Sequence, residues 1–528
     1  MLPIRKFLSA VGLLTIIRTE FKKIKPPRKL TSQKKSISFA DCLMSAFAMF
    51  SLKFPSLLQF DTSHRIDPQI KHNLKTLYGI EQVPCDTTMR ERLDEGDPST
   101  LRKVYKRLFA FLQRGKALEP YRYLNDRYLL AGDGTGFFDS QKVHCDQCCV
   151  RYAHKIYVKI SKKLPIIDSL IKQHSYILTN PLDLSFKLRY LDADRELVDI
   201  SLDEIPGLNE ILGDKKTKKE LSKTDKQSIK EAITAYHHSK FCDGDDKATY
   251  YHNMYCAALV HPDIKTVIPF VPEPIIKEDG DKKNDCERNA SKRLYQDFKR
   301  EHPHLKVIVV EDCLASNYPH LAELKRLDMR YIIGAKPGDH ETLFKWVDEQ
   351  ESNHYEHKTE DGVTHRYRYI NGAPLNKEYF DFKVNFVEYW ETSKKDEVRH
   401  WCWVTDIAVT DDNVYQIMRG GRSNWKIENP IFNTLKNLNY HFTHNFGHGY
   451  KSLSTILAML MMLAFFVDQI QELCCNLFQQ ALKKRESKIG LWAKIKSLFT
   501  EHFINSWDDL FHAIIYGQAH AILVPNTT

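Results

Sequence analysis

Residues 422–449 read RSNWKIENPIFNTLKNLNYHFTHNFGHG, and this stretch decides how the rest of the chain is interpreted. On a helix, Trp425, Glu428, Phe432 and Leu435 share one face, because they are spaced three, four and three residues apart. A carboxylate among apolar residues on the buried side of a helix is unfavourable unless it is paired or holds a metal ion. Glu428 is therefore a candidate metal ligand. The alternative is an amphipathic surface helix with Glu428 at its edge.

The order Trp-x-Ile-Glu, then Phe and Leu-Lys, then His-Asn-Phe-Gly-His-Gly resembles the glutamate-bearing region of DDE-type insertion-sequence transposases. In that family two aspartates and one glutamate hold divalent metal ions on a ribonuclease-H-like fold. The resemblance implies two further carboxylates upstream, each ending or crossing a buried strand. Many relatives carry a Tyr seven and an Arg four residues before the Glu, and a Lys seven residues after it. Here those positions hold Gly421, Asn424 and Leu435. The nearby Arg422 and Lys436 are the candidate substitutes.

The chain on either side of the glutamate is irregular. Pro430 lacks a backbone donor, so the helix is predicted either to kink or to begin there with Asn429 as its N-cap. Farther on, His441, His444 and His448 are spaced three and four apart, which on a helix would suit a metal. Two glycines beside His448 argue against a regular helix, so phosphate contacts or turn packing are the preferred interpretations.

Residues 128–140, YLLAGDGTGFFDS, predict a strand that contains the first of the implied carboxylates. Asp133 lies in its middle, between glycines that weaken a strand but let another backbone or a ligand approach closely. Asp139 is a rival at the strand's end. The structural alternative for Asp133 is a turn in which it bonds its own backbone.

The second implied carboxylate follows a buried strand. From residue 250 onward the pattern is β-β-α-β-α-β, and the run 305–310, LKVIVV, is typical of a strand covered on both faces. In the ribonuclease-H-like arrangement that the resemblance implies, this strand lies beside the first one. Asp312, just after the run, is then the second aspartate. Glu311 is its rival and points to the opposite face.

The resemblance implies a DNA transposase that cleaves at transposon ends and joins them to target DNA. Asp133 would bridge two Mg²⁺ or Mn²⁺ ions, and Asp312 and Glu428 would hold one each. The expected partner is double-stranded DNA, as terminal inverted repeats and as target, with a dimer formed on the DNA. A degenerate DNA-binding protein and a metal-dependent nuclease without strand transfer are the alternatives. The predicted DNA contacts are Lys336, Arg422, Lys436, His444 and His448.

The sequence HCDQCC holds a Cys-x-x-Cys pair, Cys145 and Cys148, which is half of a structural zinc site. Candidates for the remaining ligands are Cys242, His252 and Cys256. Since no second tight pair follows, reduced buried cysteines are preferred over zinc. Twelve cysteines make no disulfide framework in a chain of 528 residues, which favours a reducing compartment.

The charge is unevenly distributed. Ten Lys and Arg residues against Glu20 in residues 1–35 account for the whole formal excess of +9. A basic arm on a neutral body fits contact with nucleic acid or an anionic surface, and a solvated tail is the alternative. The run 7–17 mimics a secretory signal but lacks a cleavage site, and the run 456–467 is too short to span a bilayer. No membrane association is predicted, and the expected location is the bacterial cytoplasm, with the nucleoid.

The predicted fold class is α/β, a ribonuclease-H-like mixed sheet flanked by helices, with an N-terminal helical region, a mixed insertion and a β-rich insertion. The predicted segments are a basic arm (1–36), a helical, possible DNA-end-binding domain (37–126), the first core part (127–154), an insertion (155–245), the second core part (246–339), the β-rich insertion (340–404), the final core helices with Glu428 (405–480) and a helical tail (481–528).

Overall fold

The computed structural model describes residues 4–27, 37–152, 187–191, 197–201, 248–277, 286–360, 362–517 and 524–525. The chain divides into two compact units. The first comprises Met1–Phe138, His144–Cys149 and His252–Thr528. The second comprises Asp139–Val143 and Val150–Tyr251, and so contains the predicted insertion.

The strands are numbered in chain order: β1 (Arg122–Tyr123), β2 (Arg127–Ser140), β3 (Cys149–Tyr152), β4 (Lys187–Leu191), β5 (Leu197–Ser201), β6 (Ala248–His261), β7 (Ile264–Pro269), β8 (Glu273–Ile275), β9 (Val307–Glu311), β10 (Arg330–Gly334), β11 (Asn353–Lys358), β12 (Thr364–Pro374), β13 (Lys383–Thr392), β14 (Val398–Thr405), β15 (His502–Phe503) and β16 (Val524–Pro525).

The α-helices are α1 (Ala10–Lys23), α2 (Phe39–Ser51), α3 (Leu57–Ile66), α4 (Pro68–Tyr78), α5 (Asp86–Asp94), α6 (Arg102–Arg114), α7 (Glu287–Glu301), α8 (Tyr318–Arg326), α9 (Glu341–Glu349), α10 (Val414–Arg422), α11 (Thr434–Asn437), α12 (Leu453–Cys474), α13 (Asn476–Arg485), α14 (Lys488–Glu501) and α15 (Trp507–Tyr516). Short 3₁₀ turns occupy Ile4–Leu8, Pro98–Leu101, Glu119–Tyr121, Leu124–Asp126 and Cys313–Ala315, and a π-helix occupies Ile427–Asn433.

One large mixed sheet carries the core. Its order is β11-β12-β13-β14-β10-β9-β2-β6-β3, with β7 and β8 also paired to β6. β2 and β10 run parallel to β9, while β10 pairs antiparallel with β14. All five residues of β9 are buried, as its apolar run predicts for a strand covered on both faces. The α/β class and the mixed sheet are confirmed, and the order β7-β6-β2-β9-β10 is compatible with a ribonuclease-H-like arrangement.

The predicted β-rich segment 340–404 extends this same sheet. β11 to β14 form an antiparallel meander that joins the core through the β14–β10 pairing. Two of its elements, α9 and β11, were not predicted from their polar sequences. In the predicted insertion 155–245, the described residues form the antiparallel pair β4–β5. The helix predicted at 229–237 lies outside the described residues.

The N-terminal segment is a packed helix over the part that is described, which corrects the prediction of a basic arm. Ser9 caps α1 by accepting a hydrogen bond from the Gly12 amide. Leu13, Ile17 and Phe21, at helical spacing, are fully buried. The apolar run that mimics a signal sequence is therefore the core-facing stripe of α1.

Helix α12 is a buried core helix. The predicted run 456–467 is part of these 22 residues, so it is longer than predicted. Among the described residues it is the one helix long and apolar enough to cross a bilayer, and 94% of its apolar window is buried inside the protein. Lys53 Nζ lies 2.8 Å from the Asp468 carboxylate, which also accepts from the Tyr440 hydroxyl. Burial of that paired charge ties α12 to the N-terminal helices.

Candidate functional site

The two predicted aspartates lie near the point where the parallel pairing of β2 with β9 ends. The register of β2 against β9 pairs Leu130 with Val309 and Ala131 with Val310. Extended by two residues, the same register places Asp133 opposite Asp312. Neighbouring strands lie about 4.8 Å apart, so this register brings Asp133 near Asp312, where β9 ends.

Each aspartate keeps part of its carboxylate free for another partner. Asp133 Oδ1 accepts the Gly134 amide at 2.7 Å, so the local backbone bond considered as an alternative does form. Asp312 Oδ1 accepts the Leu314 amide at 2.9 Å and caps the short turn Cys313–Ala315. Both bonds fix the orientation of a side chain while leaving the second oxygen available.

A fourth carboxylate, Glu287, joins the site without having been predicted. It is the first residue of α7, and a Cβ added at Gly134 would collide with its carboxylate. The pKa of Glu287 is raised, first by burial and then by the charge of Asp312. Gly134 thus allows a close approach to β2, as the sequence predicts, and the approaching group is the carboxylate of Glu287.

The electrostatics of Asp133 show that the carboxylates share one region. Its pKa is raised to about 7, with burial as the largest cause and the Gly134 hydrogen bond opposing it. The charges of Asp312, Glu287 and Glu428 raise the pKa further. Like charges act in this way only at short range, because solvent and salt screen them.

Glu428 lies on an unusual turn rather than on a regular α-helix. The π-helix Ile427–Asn433 contains Pro430, which neither begins a helix nor merely kinks one. A π-turn widens the backbone and so accommodates a residue that lacks a donor, and such turns are frequent at functional sites. Glu428 itself is exposed, and Trp425 is 50% exposed, so the predicted burial of Trp425 was wrong. The altered helical period separates Trp425 from the buried Phe432.

The π-turn is anchored to the β6–β7 hairpin. Lys426, just before it, is buried, and its Nζ donates to the backbone carbonyls of His261 and Ile264, both at 2.6 Å. Burial lowers the pKa of Lys426, with Asp263 opposing this. These bonds hold the backbone next to Glu428 against the sheet.

Glu311, the rival of Asp312, points to the opposite face as strand alternation requires. It is 4% exposed and accepts hydrogen bonds from the hydroxyls of Tyr255 and Tyr295, while His320 Nε2 lies 2.6 Å away. Burial alone would raise the pKa of Glu311, but the charge and hydrogen bond of His320 and the two hydroxyls outweigh it, and the pKa is lowered. A carboxylate so fully satisfied has a structural role.

The predicted DNA contacts differ in accessibility. Lys336 and Lys436 are exposed. The pKa of Lys336 is raised, first by a hydrogen bond with Cys313 and also by the charge of Asp312, which places it at the site's edge. Arg422 is instead engaged by the β-rich segment: it lies 2.6 Å from Glu391 and stacks over the Trp401 ring at 4.4 Å.

The two histidines that were predicted to contact DNA differ in exposure. His444 is exposed, with its ring edge-on to Phe446. His448 is buried, and its Nε2 lies 3.2 Å from the sulfur of Cys148. That position leaves its ring little surface for a DNA phosphate. The loop is irregular, as predicted, with Gly447 and Gly449 at positive φ.

The Cys-x-x-Cys pair does acquire two further partners. Cys145, Cys148, His252 and His448 have their ligand atoms within 4.8 Å of one another, and all four are buried. His252 was one of the predicted candidates. Cys256 lies elsewhere on β6, and Cys242 lies outside the described residues.

The carboxylates are more widely spaced than the cysteine–histidine cluster. Among the described residues, only that cluster and the group Glu388, His400 and Cys402 bring three or more such ligand atoms within 4.8 Å. In the described part of the chain, Asp133, Asp312, Glu287 and Glu428 form no group this tight.

No protein-family model and no curated protein matches the chain. Among solved structures, it is similar to a piggyBac transposase in a synaptic complex with hairpin DNA. The TM-score is 0.32 at 8% sequence identity, over 98% of this chain and 81% of that chain. A likeness at that score carries no argument about function.

Proposed function

We propose that this protein is a metal-dependent DNA transposase of the DDE type, built on a ribonuclease-H-like core. One observation carries the proposal: Asp133 lies on β2 beside the end of β9, which Asp312 directly follows, and the charges of Asp312 and Glu428 both contribute to the raised pKa of Asp133. This supports a shared role for three acidic side chains that are far apart in sequence.

The donor set fits hard divalent cations. Carboxylate oxygens are the ligands that Mg²⁺ and Mn²⁺ prefer. Burial, and after it the charges of Asp312, Glu287 and Glu428, raise the pKa of Asp133 to about 7, and bound cations would offset the repulsion among these charges. Glu287, which crowds the backbone of Gly134, adds a fourth hard oxygen ligand or repels a misplaced phosphate.

Each residue has an assigned role. Asp133, Asp312 and Glu428 are the residues that would hold the two divalent ions. When bound, the ions would make the attacking oxygen more nucleophilic and stabilise the leaving oxygen. Water is proposed to attack first, and the freed 3′-hydroxyl then attacks target DNA, without a covalent protein intermediate. The side chains hold the geometry for both attacks.

The proposed partner is double-stranded DNA, both transposon ends and target. Lys336 and Lys436 are exposed cations. The charge of Asp312 helps to raise the pKa of Lys336, and the charges of Lys436 and Asp133 both act on the pKa of Cys256. A phosphate backbone passing the carboxylates would meet both lysines. A dimer on the DNA would pair two ends, and the proposed location is the bacterial cytoplasm, at the nucleoid.

The test uses DNA that brackets the reading frame, with its flanking inverted repeats, and purified protein in Mg²⁺ or Mn²⁺. Wild-type protein is expected to nick at the repeat ends and to form strand-transfer products. Asp312→Asn and Glu428→Gln should abolish both steps yet retain DNA binding, and Asp139→Asn serves as the matched control. Nicking without joining would support the nuclease alternative. DNA binding without nicking by the wild type would support the degenerate alternative.

A further inference from the structure

Four buried side chains from three distant parts of the chain meet in one cluster. Cys145 and Cys148 follow β2, His252 lies on β6, and His448 lies in the loop before α12. All four belong to the first compact unit, and none is more than 7% exposed. The separations in sequence, 104 residues from Cys148 to His252 and 300 to His448, exclude a local turn as the reason for their meeting.

The distances match the edges of a zinc tetrahedron. With Zn–S near 2.3 Å and Zn–N near 2.05 Å, a tetrahedron has S–S edges of about 3.8 Å and S–N edges of about 3.5 Å. The Cys145 and Cys148 sulfurs lie 3.8 Å apart. His252 Nε2 lies 3.3 and 3.4 Å from them, and His448 Nε2 lies 3.2 Å from the Cys148 sulfur.

We propose that Cys145, Cys148, His252 and His448 bind one structural Zn²⁺ ion. Two thiolates and two imidazoles are a common zinc set, and four protein ligands leave no position open for a substrate, which is the mark of a structural site. This inference does not depend on the proposed function, since the ligands are distinct from the carboxylates.

Two simpler accounts explain the cluster less well. A disulfide requires sulfurs about 2.05 Å apart, far closer than 3.8 Å. Ordinary packing would not aim two imidazole nitrogens at one pair of buried sulfurs. The other group of ligand types, Glu388, His400 and Cys402, makes a useful contrast. There Arg368 neutralises Glu388 at 2.6 Å and His400 is exposed, so that group needs no cation.

The surroundings hold the four ligands in place. The Cys145 amide donates to the Cys148 sulfur at 3.4 Å, a bond that thiolate ligands commonly accept. Asp146 and Gln147, between the cysteines, bond to Tyr450 and Ser452 at 3.1 and 3.3 Å. The ring of Phe137 stacks on His252, and the ring of Phe138 lies tilted against His448 at 4.1 Å between centroids.

The direct test is the metal content of the full-length protein purified without chelator. Mass spectrometry is expected to find about one zinc per chain in wild type. Cys145→Ser/Cys148→Ser and His252→Ala should lower zinc occupancy at least about tenfold. Cys256→Ala, a buried cysteine on the same strand as His252, and His400→Ala, in the contrasting group, should keep full occupancy.

A spectroscopic test avoids variants that fail to fold. Wild-type protein loaded with Co²⁺ should show the intense visible bands of a tetrahedral ion and the near-ultraviolet band of thiolate ligation. A thiol-directed mercurial should release zinc from the folded wild type. Equal zinc in wild type and Cys145→Ser/Cys148→Ser, an octahedral Co²⁺ spectrum, or a Cys145–Cys148 disulfide in the purified protein would each overturn the proposal.

Discussion

Replacing Asp133 by Asn tests whether ionisation of the Asp133 carboxyl destabilises the folded protein. Burial, followed by the charges of Asp312, Glu287 and Glu428, raises the pKa of Asp133 from 3.8 to about 7. At about 1.4 kcal/mol per pKa unit the shift corresponds to roughly 4 kcal/mol. Since Asp133 is only half-buried, screening reduces this to about 2 kcal/mol. An acid with a raised pKa binds its proton more tightly in the folded state, so stability is lost as pH rises from about 4 to about 7.

Asp133→Asn should therefore be more stable than wild type at about pH 8 in magnesium-free buffer, and the difference should narrow toward about pH 5. With an unfolding entropy of about 2.1 cal/mol/K per residue over 528 residues, about 2 kcal/mol raises the Tm by about 2 °C. Scanning calorimetry at both pH values measures this. Chelator is left out, because it would also remove the proposed zinc. Added Mg²⁺ should raise the Tm of wild type and leave that of Asp133→Asn unchanged.

The matched control is Asp139→Asn, an exposed acid on the same strand, whose Tm should equal that of wild type. Two results would refute the reasoning. One is a lower Tm for Asp133→Asn at about pH 8, which would give Asp133 a stabilising role. The other is a difference that does not change with pH, since the destabilisation comes from ionisation of the carboxyl.

Three further substitutions probe the surroundings. Lys336→Ala should lower the slope of DNA affinity against salt by about one, measured by fluorescence anisotropy, and an unchanged slope would exclude a phosphate contact. Glu311→Gln should destabilise the protein by about 3 kcal/mol below about pH 6, because it leaves the buried His320 charge unpaired. This loss of stability should shrink as pH rises through the raised pKa of His320. Denaturant unfolding that shows no such pH dependence would contradict an ion pair between Glu311 and His320. Pro430→Ala should favour a regular α-turn and move Glu428, so strand transfer should fall while DNA binding persists; full activity would show that the π-turn is dispensable.

Local sequence signals were sufficient for the strands that carry the aspartates. An uninterrupted apolar run marked β9, and glycines around Asp133 marked a close approach on β2. Alternation along a strand also predicts that Glu311 and Asp312 point to opposite faces, and Glu311 does lie in buried contacts of its own with His320. These signals depend on residues that are adjacent in the chain, so they can be recognised in a single sequence.

Properties set by tertiary contacts were not predictable. The helical period assumed around Glu428 gives the wrong face for Trp425, because a π-turn changes the angle per residue. Glu287 reaches the site only because α7 begins there, and its position in the sequence carries no sign of this. At the N-terminus, net charge suggested a free arm, whereas the apolar stripe of α1 determines its packing.

The cysteine–histidine cluster and the carboxylates both affect the stability of the chain around β2. Burial of Asp133 near three other acids raises its pKa, so ionised Asp133 destabilises the folded protein. The strand that bears Asp133 is separated in sequence from most of its neighbour β6 by the long segment Val150–Tyr251. Closing a loop of that length costs conformational entropy, and this cost grows only slowly with the length of the loop. A single cross-link across the loop therefore offsets much of the entropy cost. A zinc ion that joins Cys148 to His252 would hold together the residues that flank this segment. Its fourth ligand, His448, lies in the loop that follows Glu428, so the same ion would also restrain the chain that carries the proposed third carboxylate ligand.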